Sequence, residues 1–131
     1  MTSVLFVCTE NSNRSQMAEA FGRMHGSGVI QPHSAGSRPS GRVNPRAVRA
    51  MGEVGYDLST HHSKSVDDVP AGPYGFVVTM GCGDDCPFVA ATERDDWDLA
   101  DPRDMGPEQF NAIRDDIESR VKALVERVKA E

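Results

Sequence analysis

A cysteine and an arginine stand near the start of the chain with five residues between them, in Val7-Cys8-Thr9-Glu10-Asn11-Ser12-Asn13-Arg14-Ser15. In a tight loop between a strand and a helix, the backbone N–H groups of Thr9, Glu10, Asn11, Ser12 and Asn13 turn inward, and the helix adds the positive end of its dipole. Such a nest binds a tetrahedral dianion. Arg14 supplies a planar fork that grips two oxygens at once, and Cys8 lies at the floor. The same field favours the thiolate, and Ser15 is placed to hydrogen-bond the sulfur. One loop thus prepares both the anion and its attacker. A buried structural cysteine beside a surface arginine has the same spacing. Context argues against it, because Cys8 ends an apolar strand and Arg14 opens an amphipathic helix.

Two further thiols lie in Gly81-Cys82-Gly83-Asp84-Asp85-Cys86-Pro87. Three readings stay open for them. They are zinc ligands, although Cys-x3-Cys lacks a second ligand pair, or inert loop thiols, or a redox pair. Glycines on both sides of Cys82 favour movement, and the spacing allows a small disulfide loop if the backbone rearranges. Asp101-Pro102 places a carboxyl group in a turn, as a general acid for a leaving oxygen or simply as a turn carboxylate. His25, His33, His61 and His62 match no ligand pattern and read as surface or turn residues.

The elements that position these groups are alternating strands and helices. Ser3 to Val7 reads as a short buried strand. Ser15 to Met24 has helical spacing, with Met17, Ala18, Phe21 and Met24 on one face and Gly26 and Gly28 beyond its end. Val29 to Ser34 is a second strand. Asn44-Pro45 is an N-cap followed by proline at the first helical position, for a helix running to about Val54. Phe76 to Met80 is a further buried strand. Gly81 to Arg94 reads as loop. In the last helix, Phe110, Ile113, Ile117, Val121, Leu124 and Val128 recur at steps of three and four, an amphipathic face for packing. Trp97 reads as a packing residue. This alternation predicts an α/β fold, a parallel sheet with helices on both faces. In such sheets ligands bind beyond the carboxyl ends of the strands, where Cys8 lies.

The 131 residues fit one domain, 1–131, with an ordinary balance of 38% hydrophobic and 26% charged residues. A net charge of −6 argues against nucleic acid or an anionic membrane as partner, yet leaves room for a locally positive site. No segment approaches the roughly 20 apolar residues of a membrane span, and no signal peptide is evident, which predicts a cytoplasmic protein. An odd, sparse cysteine count in such a chain favours reactive thiols over a disulfide framework.

Cys8-x5-Arg14-Ser15 after an N-terminal strand resembles the phosphate loop of low-molecular-weight tyrosine phosphatases. Arg14-Ser15-Gln16-Met17-Ala18-Glu19 resembles the arsenate reductases on that fold, with Gln16 where the phosphatases usually carry proline. Ser34-Ala35-Gly36, Asn44-Pro45-Arg46-Ala47, Val77-Val78-Thr79-Met80 and Trp97 leading to Asp101-Pro102 extend the likeness over nearly the whole chain. The resemblance implies a four-stranded parallel sheet flanked by helices in three layers. It implies arsenate reduction: Cys8 as nucleophile, Arg14 and the loop amides as oxyanion binders, Asp101 as acid, and a Cys8–Cys82–Cys86 disulfide relay reduced by thioredoxin. Phosphate and sulfate would compete at the loop, and no tightly bound cofactor is implied. The alternative is a phosphomonoester hydrolase using Cys8, Arg14 and Asp101. Some relatives bind potassium beside the loop through Asn, Glu, Ser and Asp side chains. Asn11, Glu19 and Ser34 match that site, but Lys64 stands where an aspartate is expected, and its ammonium would substitute for the ion's charge. Glu10 stands where relatives often carry glycine, an unfavourable carboxylate beside an anion unless it points outward. Asn13 replaces a cysteine common there.

Overall fold

The computed structural model describes residues 1–81 and 88–131. In chain order it forms β1 (Thr2–Cys8), α1 (Arg14–His25), β2 (Ile30–Gly36), α2 (Pro45–Gly52), β3 (Tyr74–Thr79), β4 (Ala91–Asp96) and α3 (Pro107–Lys129). The four strands make one sheet in the order β2-β1-β3-β4, parallel throughout. This is the predicted four-stranded parallel sheet. β1 occupies a central position, which explains its unbroken apolar run: Val4, Phe6 and Cys8 pack on one face, Leu5 and Val7 on the other.

The face carrying Val4, Phe6 and Cys8 is covered by all three α-helices. Met17, Ala18 and Phe21 of α1, Ala47, Ala50 and Met51 of α2, and Phe110, Ile117, Val121 and Leu124 of α3 join one core cluster with them. The opposite face is thinner. Leu5, Val7, Ala35, Tyr74 and Val77 are covered there by Val66, Val69 and Val89, and Val66 opens a 3-10 turn, Val66–Asp68. Trp97 is buried against Phe6, with ring centroids 5.8 Å apart, as a packing residue should be.

The loop reading of Gly81 to Arg94 needs correction at its far end. Ala91–Asp96 is an edge strand, in register with β3 through Phe76↔Glu93 and Val78↔Asp95. Its sequence, ATERDD, has no apolar run because an edge strand half open to water tolerates charge and is protected by it. Glu93 ties the strand to α3 through Arg127 Nη2 at 2.7 Å. β2 also runs further than predicted, to Gly36, and as the other edge strand it accommodates Pro32. α2 begins as predicted, with Asn44 Oδ1 accepting from Arg46 N at 2.9 Å and proline at the next position, but ends at Gly52.

Sheet register fixes the site's geometry. Cys8 and Gly36 are partners at the carboxyl ends of β1 and β2. A Cβ on Gly36 would lie 2.8 Å from the Thr9 carbonyl oxygen and 3.0 Å from the Asn11 nitrogen, so only glycine lets β2 pass behind the loop.

Ile117 lies fully buried where α3 meets the sheet. Ile117→Ala is expected to lower unfolding stability by about 2–5 kcal/mol, read from a urea denaturation midpoint, because the cavity cannot collapse against a sheet.

Candidate active site

Between β1 and α1, every carbonyl from Cys8 to Asn13 is hydrogen-bonded outside the turn. Cys8 O accepts from Ser37 N at 3.1 Å, Thr9 O from Arg38 N at 2.8 Å and Glu10 O from Ser40 N at 3.1 Å. Asn11 O accepts from Gln16 Nε2 at 3.1 Å, Ser12 O from Asn44 N at 3.1 Å and Asn13 O from Met17 N at 3.0 Å. In a trans peptide the following N–H points opposite to the carbonyl. The amides of residues 9 to 14 are therefore turned to the loop's concave side, which is lined by Cys8, Thr9, Glu10, Ser12, Asn13, Arg14 and Asp101. Asn11 takes the left-handed conformation this demands, at φ 52°, which asparagine tolerates better than most residues.

The side chains of the predicted oxyanion binders do other work. Asn11 Nδ2 donates to Ser15 Oγ at 2.8 Å, and Ser12 Oγ donates to the Arg42 carbonyl at 2.6 Å. Asn13 Oδ1 is buried with no hydrogen-bond partner among the described residues. These residues face the cup with backbone. Cys8 Sγ lies 2.8 Å from Ser15 Oγ. That oxygen also accepts from Asn11 and keeps a second lone pair and its own proton, so it can pair with either the thiol or the thiolate of Cys8.

Arg14 is buried, with Nη1 donating to the Leu99 carbonyl at 3.0 Å and Nη2 3.9 Å from Asp101 Oδ2. Asp101 caps the 3-10 turn Pro102–Asp104, accepting from Arg103 N at 3.0 Å. The acid and the turn-cap readings of Asp101 are thus compatible, because its second oxygen faces the cup. The fold places Cys8, Arg14, Ser15 and Asp101 near one another. Gly81 abuts this group: its φ is +75°, and a Cβ there would lie 2.4 Å from Arg14 Nη1. Cys82 and Cys86 lie outside the described residues.

Behind the loop lies a polar network that the sequence reading missed. Gln16 is fully buried; its Nε2 also donates to Asn11 Oδ1 at 2.8 Å, and its Oε1 accepts from His61 Nδ1 at 2.9 Å. His61 Nε2 in turn meets the Tyr56 hydroxyl at 2.6 Å. His61 is therefore not a surface histidine; its side chain is only 7% exposed. The signal for it was a glutamine on the first turn of an otherwise apolar-faced helix. His25 pairs with Glu118 at 2.8 Å, and His33 lies in β2 beside the Tyr74 ring.

Glu19 is buried in the same network. Burial pushes its carboxyl group up, but the Ser34 hydroxyl, donating at 2.6 Å, and the charges of Lys64, His61 and Arg23 outweigh it and hold the group below the usual range. Lys64 Nζ sits 3.3 Å from Ser34 Oγ, 3.5 Å from Glu19 Oε1 and 3.3 Å from the His62 carbonyl. An ammonium thus stands beside Glu19 and Ser34, two of the three residues that match the potassium site of relatives. Among the described residues, no cluster of three or more His, Cys, Asp or Glu could hold a metal ion.

The sequence pattern of the low molecular weight phosphotyrosine protein phosphatases matches residues 3–131. The chain belongs to this family. Among family relatives, the glutaredoxin arsenate reductase of Synechocystis is 38% identical, the match covering 98% of this chain and 99% of the relative. A solved arsenate reductase in its phosphate-binding state superimposes with a TM-score of 0.88 at 37% identity, covering 98% of this chain and 99% of that one. The thioredoxin-dependent arsenate reductase of Corynebacterium glutamicum gives 0.79 at 29% identity, covering 99% of this chain and 63% of that longer one.

Burial holds the His61 imidazole below its ordinary value of 6.5 despite the pull of Glu19, and His33 behaves likewise. Just below pH 6.5 the unfolded chain then binds more protons than the folded one, so stability rises with pH in that window and is lost as pH falls toward the folded-state values. His61→Gln is expected to flatten the dependence of the urea midpoint on pH between about 5 and 7, leaving the share due to His33. An unchanged slope would show that His61 is solvated.

Proposed function

We propose that this protein reduces arsenate to arsenite, using thioredoxin as the final electron donor. The observation that carries the reading is the Cys8 sulfur at the floor of an amide-lined cup, in a chain whose full-length relatives include arsenate reductases. The donor is supported by the thioredoxin-dependent relative; the glutaredoxin arsenate reductase supports the rival donor, and a coupled assay separates the two.

In this reading, arsenate enters the cup and its oxygens are held by the loop amides and Arg14, which also balance charge in the transition state. The Cys8 thiolate attacks arsenic, a sulfur–arsenic bond forms, and an oxygen leaves as water with a proton from Asp101. The Cys82 thiolate then attacks Cys8 sulfur. The sulfur–arsenic bond breaks, its electron pair stays on arsenic, and arsenite leaves a Cys8–Cys82 disulfide. Cys86 attacks Cys82, which frees Cys8 and leaves a Cys82–Cys86 disulfide for the donor to reduce. Such a relay needs a compartment that keeps thiols reduced, which is why we place the protein in the cytoplasm. Phosphate and sulfate fit the same cup and would compete.

The second reading is phosphomonoester hydrolysis by Cys8, Arg14 and Asp101, favoured by the family the chain belongs to. It has no use for Cys82 or Cys86.

Arsenate added to enzyme, thioredoxin, thioredoxin reductase and NADPH should drive NADPH oxidation through many turnovers. Cys82→Ser should stop this and leave hydrolysis of p-nitrophenyl phosphate, if any, untouched. Wild-type enzyme that hydrolyses the phosphate ester but consumes no NADPH with thioredoxin or glutaredoxin would replace the first reading with the second. Asp101→Asn should lower kcat by about 10²-fold or more, with KM for arsenate little changed, in the same assay.

A further inference from the structure

Glu10 is the one acidic residue between Cys8 and Ser15. A carboxylate on the rim of a cup for a dianion opposes binding unless something answers it. Its backbone is fixed from outside, with the carbonyl accepting from Ser40 N at 3.1 Å and Ser63 Oγ at 2.9 Å. Only the side chain is free to choose a direction, and it reaches Arg103: Nη1 lies 3.2 Å from Glu10 Oε1.

Arg103 follows Asp101 by two residues, in the turn that Asp101 caps. The back of this segment is anchored. Arg46 Nη1 donates to the carbonyls of Arg103 and Met105 at 3.1 and 2.8 Å, and Arg14 Nη1 holds the Leu99 carbonyl. Its front edge meets the oxyanion loop through the Glu10–Arg103 bridge, whose side chains are 37% and 57% exposed. A segment tied at the back by backbone acceptors and at the front by a half-solvated ion pair opens most easily at the front.

We propose that the Glu10–Arg103 pair is a latch across the mouth of the cup, with both residues acting as positioning residues for the oxyanion reaction. This rests on the reading of the cup as the arsenate site. The latch does two things. Arg103 answers the Glu10 charge beside the incoming dianion, and the bridge keeps the Asp101 segment against the loop so that its carboxyl group faces the substrate. Loss of Arg103 and loss of Glu10 therefore have different signatures. Without Arg103, a bare carboxylate repels the substrate. Without the Glu10 charge, the repulsion goes too, and only the hold on the acid is lost.

The test compares wild type, Arg103→Ala, Glu10→Gln, the double variant and Arg103→Lys. Oxyanion binding is read from the protection that inorganic phosphate, which the thiols do not reduce, gives Cys8 against iodoacetamide, followed on the Cys8 peptide by mass spectrometry, and kcat and KM come from arsenate reduction. An exposed pair is worth little, so changes of about three- to fivefold are expected. Arg103→Ala should weaken protection and raise KM by that factor, while Glu10→Gln should lower kcat with binding unchanged or tighter. The double variant should regain binding while kcat stays low, a rescue that general damage to the fold would not give. Arg103→Lys should keep most of the binding. Unchanged binding in Arg103→Ala, or a double variant as weak as Arg103→Ala alone, would overturn the latch while leaving the arsenate site intact. Failure of phosphate to protect wild-type Cys8 would overturn the oxyanion site, and the latch with it.

Discussion

From Cys8 to Asn13 each peptide carbonyl has its partner outside the loop: three on the segment after β2, one on the N-terminal residue preceding α2, and two within α1. This arrangement turns six amides the other way, and the rest of the site depends on it. A loop of this kind cannot be specified by its own residues alone, because inward-facing donors repel each other when the cup is empty. The cost is met by fixing their carbonyls to rigid elements. Gly36 contributes by its lack of a side chain, since β2 must pass within contact of Thr9 and Asn11. Gln16 contributes from the opposite side, bracing Asn11 and meeting His61, and the Asn11 amide in turn holds the Ser15 hydroxyl that lies beside the sulfur.

Where burial and periodicity agree, the fold was legible in the sequence. β1, central and apolar on both faces, and α3, with its stripe from Phe110 to Val128, announce themselves because packing alone selects their residues. The Asn44-Pro45 start of α2 was legible for a local reason, one side chain capping one amide. β4 was not, because its residues answer to solvent on one side and to hydrogen bonds from β3 on the other. Such bonds are made by backbone and leave no trace in side-chain pattern.

The site divides in the same way. Cys8, Arg14, Ser15 and Asp101 carry chemistry by type, so their spacing and neighbours were enough to propose them; the fold puts Cys8, Arg14 and Asp101 on one cup and Ser15 beside the sulfur. The supporting groups were hidden. Gln16 and His61 are 45 residues apart in the chain, so the contact between them leaves no mark in local sequence. Glu10 looked like a liability in the sequence. Its partner Arg103 lies 93 residues away, reached only once the sheet has brought the turn after β4 over the loop after β1.

Lys64 places its ammonium between Ser34, Glu19 and the His62 carbonyl, on the reverse side of the loop. A dissolved ion at such a position would come and go with its concentration in the medium, and each arrival would forfeit translational freedom. A charge carried on a covalent stem has surrendered that freedom already, when the chain folds. The positive pole beneath the loop is thereby part of the molecule's architecture, at a strength that no ion concentration sets.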